Sequence, residues 1–388
     1  MKLKATNGWQ FVLADAWGRV MAQVAGNVTM TFRRNLWHEA EVLLDIDDPR
    51  AADVMAAYLT APVVGAPGTG AGGYPLLYGV RSNSPRFSGM LWSAEENADD
   101  AEGVVKLTFR SPFGFLMDAP LMSPLAYAST ARAGDIAVGL LNRYESGLAG
   151  NKHRYGIGLP IPPTLLGATG AREYQAGQSI GQALVDLSVT GGVDFWDTPT
   201  WGVSGNSWPG GGSSGGASTS QVNQIANFSL TASVPDKSAT VRFEYGPETL
   251  ANCRKARRLT MPPRPAVLGI GADGLTVTQR DSVAQTVYGG STMAAYSYPD
   301  ETTTGGLGGR VAANIRNRPI PVVEITPDPD LAPDPWTDYF LGDKVTVTVS
   351  RGSLQVSTTP RVNALTIRVN EEGYEEEHVV AFDQGVTS

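Results

Sequence analysis

Three histidines (His38, His153 and His378) and one thiol, Cys253, are the side chains best suited to acid–base, nucleophilic or metal chemistry at neutral pH. They lie far apart, with no carboxylate or cysteine at ligand spacing. A zinc site or a Ser-His-Asp relay would have to be assembled wholly by tertiary contacts. No serine sits in a Gly-x-Ser-x-Gly elbow. Two runs, Gly68-Thr69-Gly70-Ala71-Gly72-Gly73 and Gly269-Ile270-Gly271-Ala272-Asp273-Gly274, match the spacing of a dinucleotide loop. That loop works only when it opens a helix, whose first amides face the pyrophosphate. The first run leads into Tyr74-Pro75 and the second into a strand pattern at Leu275, so both read as loop glycines.

The charged clusters read as surface in the same way. Glu95, Glu96, Asp99 and Asp100 could supply paired carboxylates, but Asn97-Ala98 and Ala101-Glu102-Gly103 mark a solvated loop. Asp328, Asp330, Asp334 and Asp338 depart from the spacing of a calcium loop, and a bound cation near 326–338 stays open. Arg254, Lys255, Arg257, Arg258 and Arg264 form the basic run, and Glu371, Glu372, Glu375, Glu376 and Glu377 its acidic counterpart. The pair suggests contacts across a subunit interface, which reversing Arg257 and Arg258 to Glu would weaken. Trp196, Trp201 and Trp208 could stack on sugars, although core or interface packing explains them as well. The expectation is a protein with no catalytic, cofactor-binding or metal-ligating residues, not an enzyme.

The elements that would position these side chains are mostly strands. In residues 1–118, Trp9, Phe11 and Leu13 alternate, as do Val28, Met30 and Phe32, and then Ala40, Val42, Leu44 and Ile46. Asp48-Pro49 opens a helix with Ala52, Met55 and Leu59 as its expected buried face. Leu76–Val80, Arg86–Trp92 and Val104–Phe109 complete a partly open barrel. Residues 119–200 change period: Ile136, Leu140, Leu141 and Tyr144 fit one helix, and Ile180, Ala183, Leu184 and Leu187 a second that stops at Gly191-Gly192. The segment 201–221 is a Gly/Ser-rich loop or arm, with seven glycines from Gly202 to Gly216. Residues 225–232 and 239–245 read as a hairpin around Pro235-Asp236. Val267–Ile270 turns through Ala272-Asp273-Gly274 into Leu275–Gln279, and Leu307, Val311 and Ile315 mark a helix stopped at Pro319. Residues 326–338 read as a linker.

Beyond it, Val345, Val347 and Val349 alternate with polar residues, Leu365–Val369 repeats the pattern, and Glu371-Glu372-Gly373 turns into a third strand ending at Phe382. The fold class is mainly β with α+β. Two barrel-like domains, 1–118 and 222–246 with 336–388, accompany smaller α+β domains at 119–200 and 247–335.

Composition agrees. The 388 residues include 45 Gly and 26 Pro, which favours short strands and turns, and only 18% are charged. One cysteine cannot close an internal disulfide. The net charge of −8 argues against a dedicated nucleic-acid binder. No run of 18 apolar residues occurs, and the N-terminus lacks the apolar stretch of a signal peptide.

The order of these signals resembles the tail hub (baseplate hub) proteins of tailed bacteriophages and related injection machines, over nearly the whole chain. The residues that carry it are Asn35–Ile46 with Asp47-Asp48-Pro49, Phe87-Ser88-Gly89, Leu250–Gly274, Asp281-Ser282-Val283 through Tyr288-Gly289, and Gly309–Pro319. Leu341-Gly342-Asp343-Lys344-Val345, Arg361-Val362 and Gly373–Phe382 complete it. The resemblance implies a ring-forming homotrimer at the virion tail tip, made in the host cytoplasm, that joins the tail tube to the host-recognition and penetration apparatus. Implied partners are distal tail and tail-tube proteins, the tape-measure protein, and tail fibres or other tail-tip proteins. Genomic DNA would pass its ejection channel without specific binding. The alternatives are another minor tail or baseplate protein with a carbohydrate- or receptor-binding role, and a hub with peptidoglycan hydrolase activity.

Overall fold

The computed structural model describes residues 8–14, 20–24, 26–59, 75–82, 84–97, 103–147, 157–158, 166–199, 226–247, 251–288, 293–298, 301–317 and 319–383. The alternating N-terminal stretches form β1 (Trp9–Ala14), β2 (Val20–Val24), β3 (Asn27–Arg33) and β4 (Glu39–Asp45). Helix α1 (Pro49–Leu59) follows, with the Asp48 carboxylate accepting from the Arg50 amide. Its buried residues are Ala51 and Val54, with Met55 packed beside them, while Ala52 is exposed. The expected face is thus off by one position, because Ala51, Val54 and Met55 satisfy helical spacing equally well. The Leu59 side chain lies outside the described residues.

Strands β5 (Leu76–Arg81), β6 (Ser84–Asn97) and β7 (Val104–Arg110) complete this part. β6 runs on through Glu95 and Glu96, opposite Lys106 and Val105, where a loop is expected from the sequence. Their exposed polar side chains sit at the open end of a strand.

The described residues between 112 and 231 build a second core. Helix α2 (Pro112–Leu116), β8 (Leu125–Tyr127), α3 (Ala133–Gly147), β9 (Ile157–Gly158) and β10 (Arg172–Tyr174) lead to α4 (Ile180–Gly191). Ser179 caps α4 through the Gln182 amide, and Gly192 ends it in the left-handed conformation. Ile136, Leu140 and Leu141 of α3 pack on Ile180, Ala183, Leu184 and Leu187 of α4, as their spacing requires. Strand β11 (Asp194–Pro199) then pairs antiparallel with β12 (Ala226–Thr231). The hairpin expected at 225–245 does not form. β12 completes the β11 sheet, while β13 (Arg242–Tyr245) pairs in parallel with a strand a hundred residues later. Two adjacent apolar runs cannot tell a hairpin from two strands bound to different partners.

The remaining chain leaves and returns to the main sheet. β14 (Cys253–Met261) leads to a small unit of β15 (Ala266–Ile270), β16 (Thr276–Arg280), α5 (Ser282–Val287), β17 (Met293–Ser297) and α6 (Thr304–Ala313). Asp273 and Gly274 at positive φ make the expected turn between β15 and β16. Strand β18 (Ile320–Pro327) returns antiparallel to β14. Then come β19 (Thr346–Arg351), β20 (Leu354–Thr358), β21 (Arg361–Val369) and β22 (Glu375–Asp383). Val345, Val347 and Val349 are buried as their alternation demands. β19 nevertheless pairs with β13 and with β20, a strand that the sequence reading omits, and not with β21 or β22.

The protein is mainly β. Among the described residues, eleven strands form one sheet in the order β14-β18-β22-β21-β3-β4-β7-β6-β5-β1-β2. The join is β3 against β21, six register pairs from Val28↔Val369 to Arg33↔Ala364. One core spans both ends of the chain, with Phe11, Phe32, Phe87 and Leu107 beside Phe243, Val347, Leu365 and Phe382. Among the described residues, no helix is long and apolar enough to cross a membrane.

Candidate functional site

The polar residues that the fold brings together form three buried joints. The first centres on Asp194. Asn35, in the left-handed region at φ 58° in the β3–β4 turn, donates from Nδ2 to Asp194 Oδ1 (3.0 Å) and accepts the Phe195 amide (2.8 Å). Arg34 pairs with Asp383 at 2.5 Å, and Arg361 pairs with Asp194 while its Nε donates to the Gly342 carbonyl (3.0 Å). Gly342 holds φ +86°, and the Asp343 carboxylate accepts from the Phe340 amide (2.9 Å) beside Lys237 Nζ (3.0 Å). Residues from three of the stretches that resemble the hub family therefore bear on one point, where β11 meets the main sheet. The Arg361–Asp194 pair, largely buried on both sides, contributes defined geometry more than net stability.

The second joint lies three residues further along β11. Asp197 Oδ2 accepts the Phe113 amide (3.0 Å), capping α2 from another element, since the side chain of the α2 cap residue Ser111 makes no such bond. Ser111 Oγ instead accepts the His38 main-chain amide (2.9 Å), and His38 Nδ1 accepts the Arg33 amide (3.2 Å). Burial pushes the Asp197 carboxyl up to about 6 against the bonds from Ser111 and the Phe113 amide. Burial also lowers His38 to about 3, the Asp197 main chain opposing and the Arg33 charge adding.

Serine, histidine and aspartate meet here, but their bonds are those of a structural joint. Nδ1, which must donate to orient a catalytic imidazole, is an acceptor, and all three residues are buried.

The third joint locks the segment 328–340 onto the sheet. Arg81 grips Asp334 with both terminal nitrogens (2.9 and 2.8 Å). Its Nε lies 3.1 Å from Glu375, with the N–H aimed off the oxygen. Trp9 Nε1 donates to Glu375 at 2.7 Å, and burial raises that carboxyl. Trp336, at φ 68°, packs on Trp9, Phe32 and Phe340 beneath the guanidinium groups of Arg81 and Arg86. Tyr339 Oη meets His378 Nε2 at 3.1 Å, and burial lowers that histidine to about 4. The Pro/Asp stretch is a docked strap, not the linker that its composition suggests. A tryptophan two residues after Asp334 is the signal that composition alone overlooks.

The other candidates are dispersed. Three of the four aspartates of 326–338 are engaged: Asp328 by the Asp330 amide and Arg254, Asp334 by Arg81, and Asp338 by the Asp334 amide. No group of three or more potential metal ligands converges among the described residues. The run from Gly269 enters a short 3-10 turn and then β16, without the helix a phosphate site needs. A Cβ on Gly269 would lie 2.3 Å from Val311 Cγ2, so this glycine admits α6 against the sheet. Burial pushes the Cys253 thiol up to about 12, leaving it a packed side chain. Trp196 is half-buried on β11. His153, Trp201, Trp208, the run at Gly68, Asp99 and Asp100, and the Gly/Ser arm lie outside the described residues. Asp194, Asp197 and Arg81 escape sequence reading; two aspartates within a strand, where that residue is disfavoured, are the one usable signal.

No protein-family model and no curated protein matches the chain. Solved structures do. The 43 kDa tail protein of prophage MuSo2 from Shewanella oneidensis superposes with a TM-score of 0.53 at 13% identity, covering 96% of this chain and 97% of that one. A tail protein from Neisseria meningitidis MC58 gives 0.53 at 11% identity, covering 98% of each chain. This chain has the fold of phage tail proteins. In that tail-protein fold, the three joints fix the α+β unit and the strap to the large sheet, and the charged edges are left outward.

Proposed function

We propose that the protein is a structural component of a phage tail tip, a homotrimeric hub between the tail tube and the host-facing apparatus. In this reading residues 1–118, and 336–388 with β13, are two barrel-like units that alternate in a ring, and the α+β units at 119–231 and 247–335 flank them. The observation that carries it is the end-to-end correspondence with two tail proteins over 96% or more of both chains. The joints support a non-enzymatic role, because their acids, histidines and serine serve as caps and ion pairs. An acidic chain with a net charge of −8 suits a wall past which DNA slides without binding. The test is the oligomer mass of the purified chain, joined with electron microscopy. A trimeric ring with a central opening is expected, and a stable monomer at high concentration would overturn the proposal.

A further inference from the structure

We infer that the basic β14 edge of one copy docks head to tail on the acidic β21–β22 hairpin of a second copy. The inference rests on the assembly reading above and names its surface. β14 ends the eleven-stranded sheet and, among the described residues, pairs only with β18. β18 follows β22 in the register Glu324↔Ala381 and Ile325↔Val380, and β22 ends at Asp383. Only the last pairs of β14 with β18, Thr260↔Pro321 and Met261↔Ile320, run past the end of β22. An unpaired edge is a template for another chain. Leu259 on it is 50% exposed.

Charge selects the occupant. Arg254 and Arg257 have Asp328 and Glu324 beside them, whereas exposed Lys255 and Arg258 have no carboxylate partner among the described residues. On the hairpin, Glu375 and Glu377 pair with Arg81 and Arg368, while exposed Glu371, Glu372 and Glu376 have no cationic partner among the described residues. The register holds Arg258 apart from the hairpin tip. Arg258 pairs with Val323, which continues the β18–β22 ladder opposite Phe382, and the tip lies beyond Glu376 on β22. From 376 to 382 is six steps, about 20 Å at roughly 3.3 Å each, which the Arg258 side chain cannot bridge. Arg258 can meet the free carboxylates of the hairpin only between copies. Such a contact uses two different surfaces of one chain and closes into a ring where the rotation allows.

The experiment is sedimentation of the full chain as wild type, as R257E/R258E, as E371K/E372K, and as all four substitutions together. Each double variant should weaken self-association by about tenfold or more, and the fourfold charge swap should restore it. A monomeric wild type would overturn the assembly reading itself. A wild-type oligomer that both double variants leave unchanged would overturn this inference alone. So would loss of DNA-cellulose retention by R257E/R258E with the oligomer intact, which assigns the edge to nucleic acid.

Discussion

Asp197 and His38 share a buried joint yet titrate in opposite senses. Between 3.8 and about 6 the folded state holds a proton on Asp197 that the unfolded chain has released, so this residue's contribution falls as pH rises through that window. Between about 3 and 6.5 the unfolded chain binds a proton that folded His38 refuses, so its contribution is lost as pH falls. The two slopes oppose each other where the windows overlap. Asp197→Asn keeps an acceptor for the Phe113 amide and removes one titration. It should raise stability at about pH 8 by up to roughly 3 kcal/mol and leave the His38 slope unmasked. Urea unfolding across the acid range reads both effects, and an unchanged slope would refute the assignment. At Gly269 the limit is space. Gly269→Ala drives a methyl into Val311 and Leu307, so it should cost roughly 1–3 kcal/mol. Hydrogen exchange would report the loss in residues 264–316 first.

The strap carrying Trp336 shows what an element adds beyond its residues. Trp336 sits at positive φ, a conformation that costs a non-glycine residue about 1 kcal/mol, and is held there by three aromatic rings and two guanidinium groups. Trp336→Ala should lose roughly 3 kcal/mol of packing. Trp336→Gly should be less damaging by about 1 kcal/mol, since glycine accepts that backbone freely. Thermal unfolding of the pair settles it, and equal losses would mean the backbone there relaxes. Elements of this kind were the least legible in the sequence. Alternation located β1, β3, β4, β7 and β21, and helical spacing located α3, α4 and α6, because each signal is local. It failed for partners: β12 and β13 look like a hairpin and bind different sheets, and the strap looks like a linker. The joints were hidden because Asp194 and Arg361, or Arg81 and Asp334, are more than 160 residues apart, and only the assembled sheet brings them together.

At the scale of the whole molecule, the decisive pairing is β3 with β21, which links the first hundred residues to the last fifty. Without β21, β3 becomes an open edge, and Phe32 and Met30 lose Leu365 and Ile367, their neighbours in register. Trp9 also loses the Gly373 carbonyl that its amide bonds at 2.8 Å, and the Glu375 carboxylate at its indole nitrogen. The segment 1–118 made alone is therefore expected to aggregate or stay molten, although its strand pattern reads as a barrel, partly open, of its own. The segment 264–316 is different. The paired main-chain bonds between Arg264 and Arg316 close it, and Val267, Leu307 and Val311 form a core of its own. Replacing it with a short turn between β14 and β18 should leave the rest folded. Circular dichroism and one-dimensional proton NMR on the two products distinguish the outcomes. A cooperative, well-dispersed 1–118 would mean that the chain ends fold independently and that the eleven-stranded sheet is a docking event, not a single core.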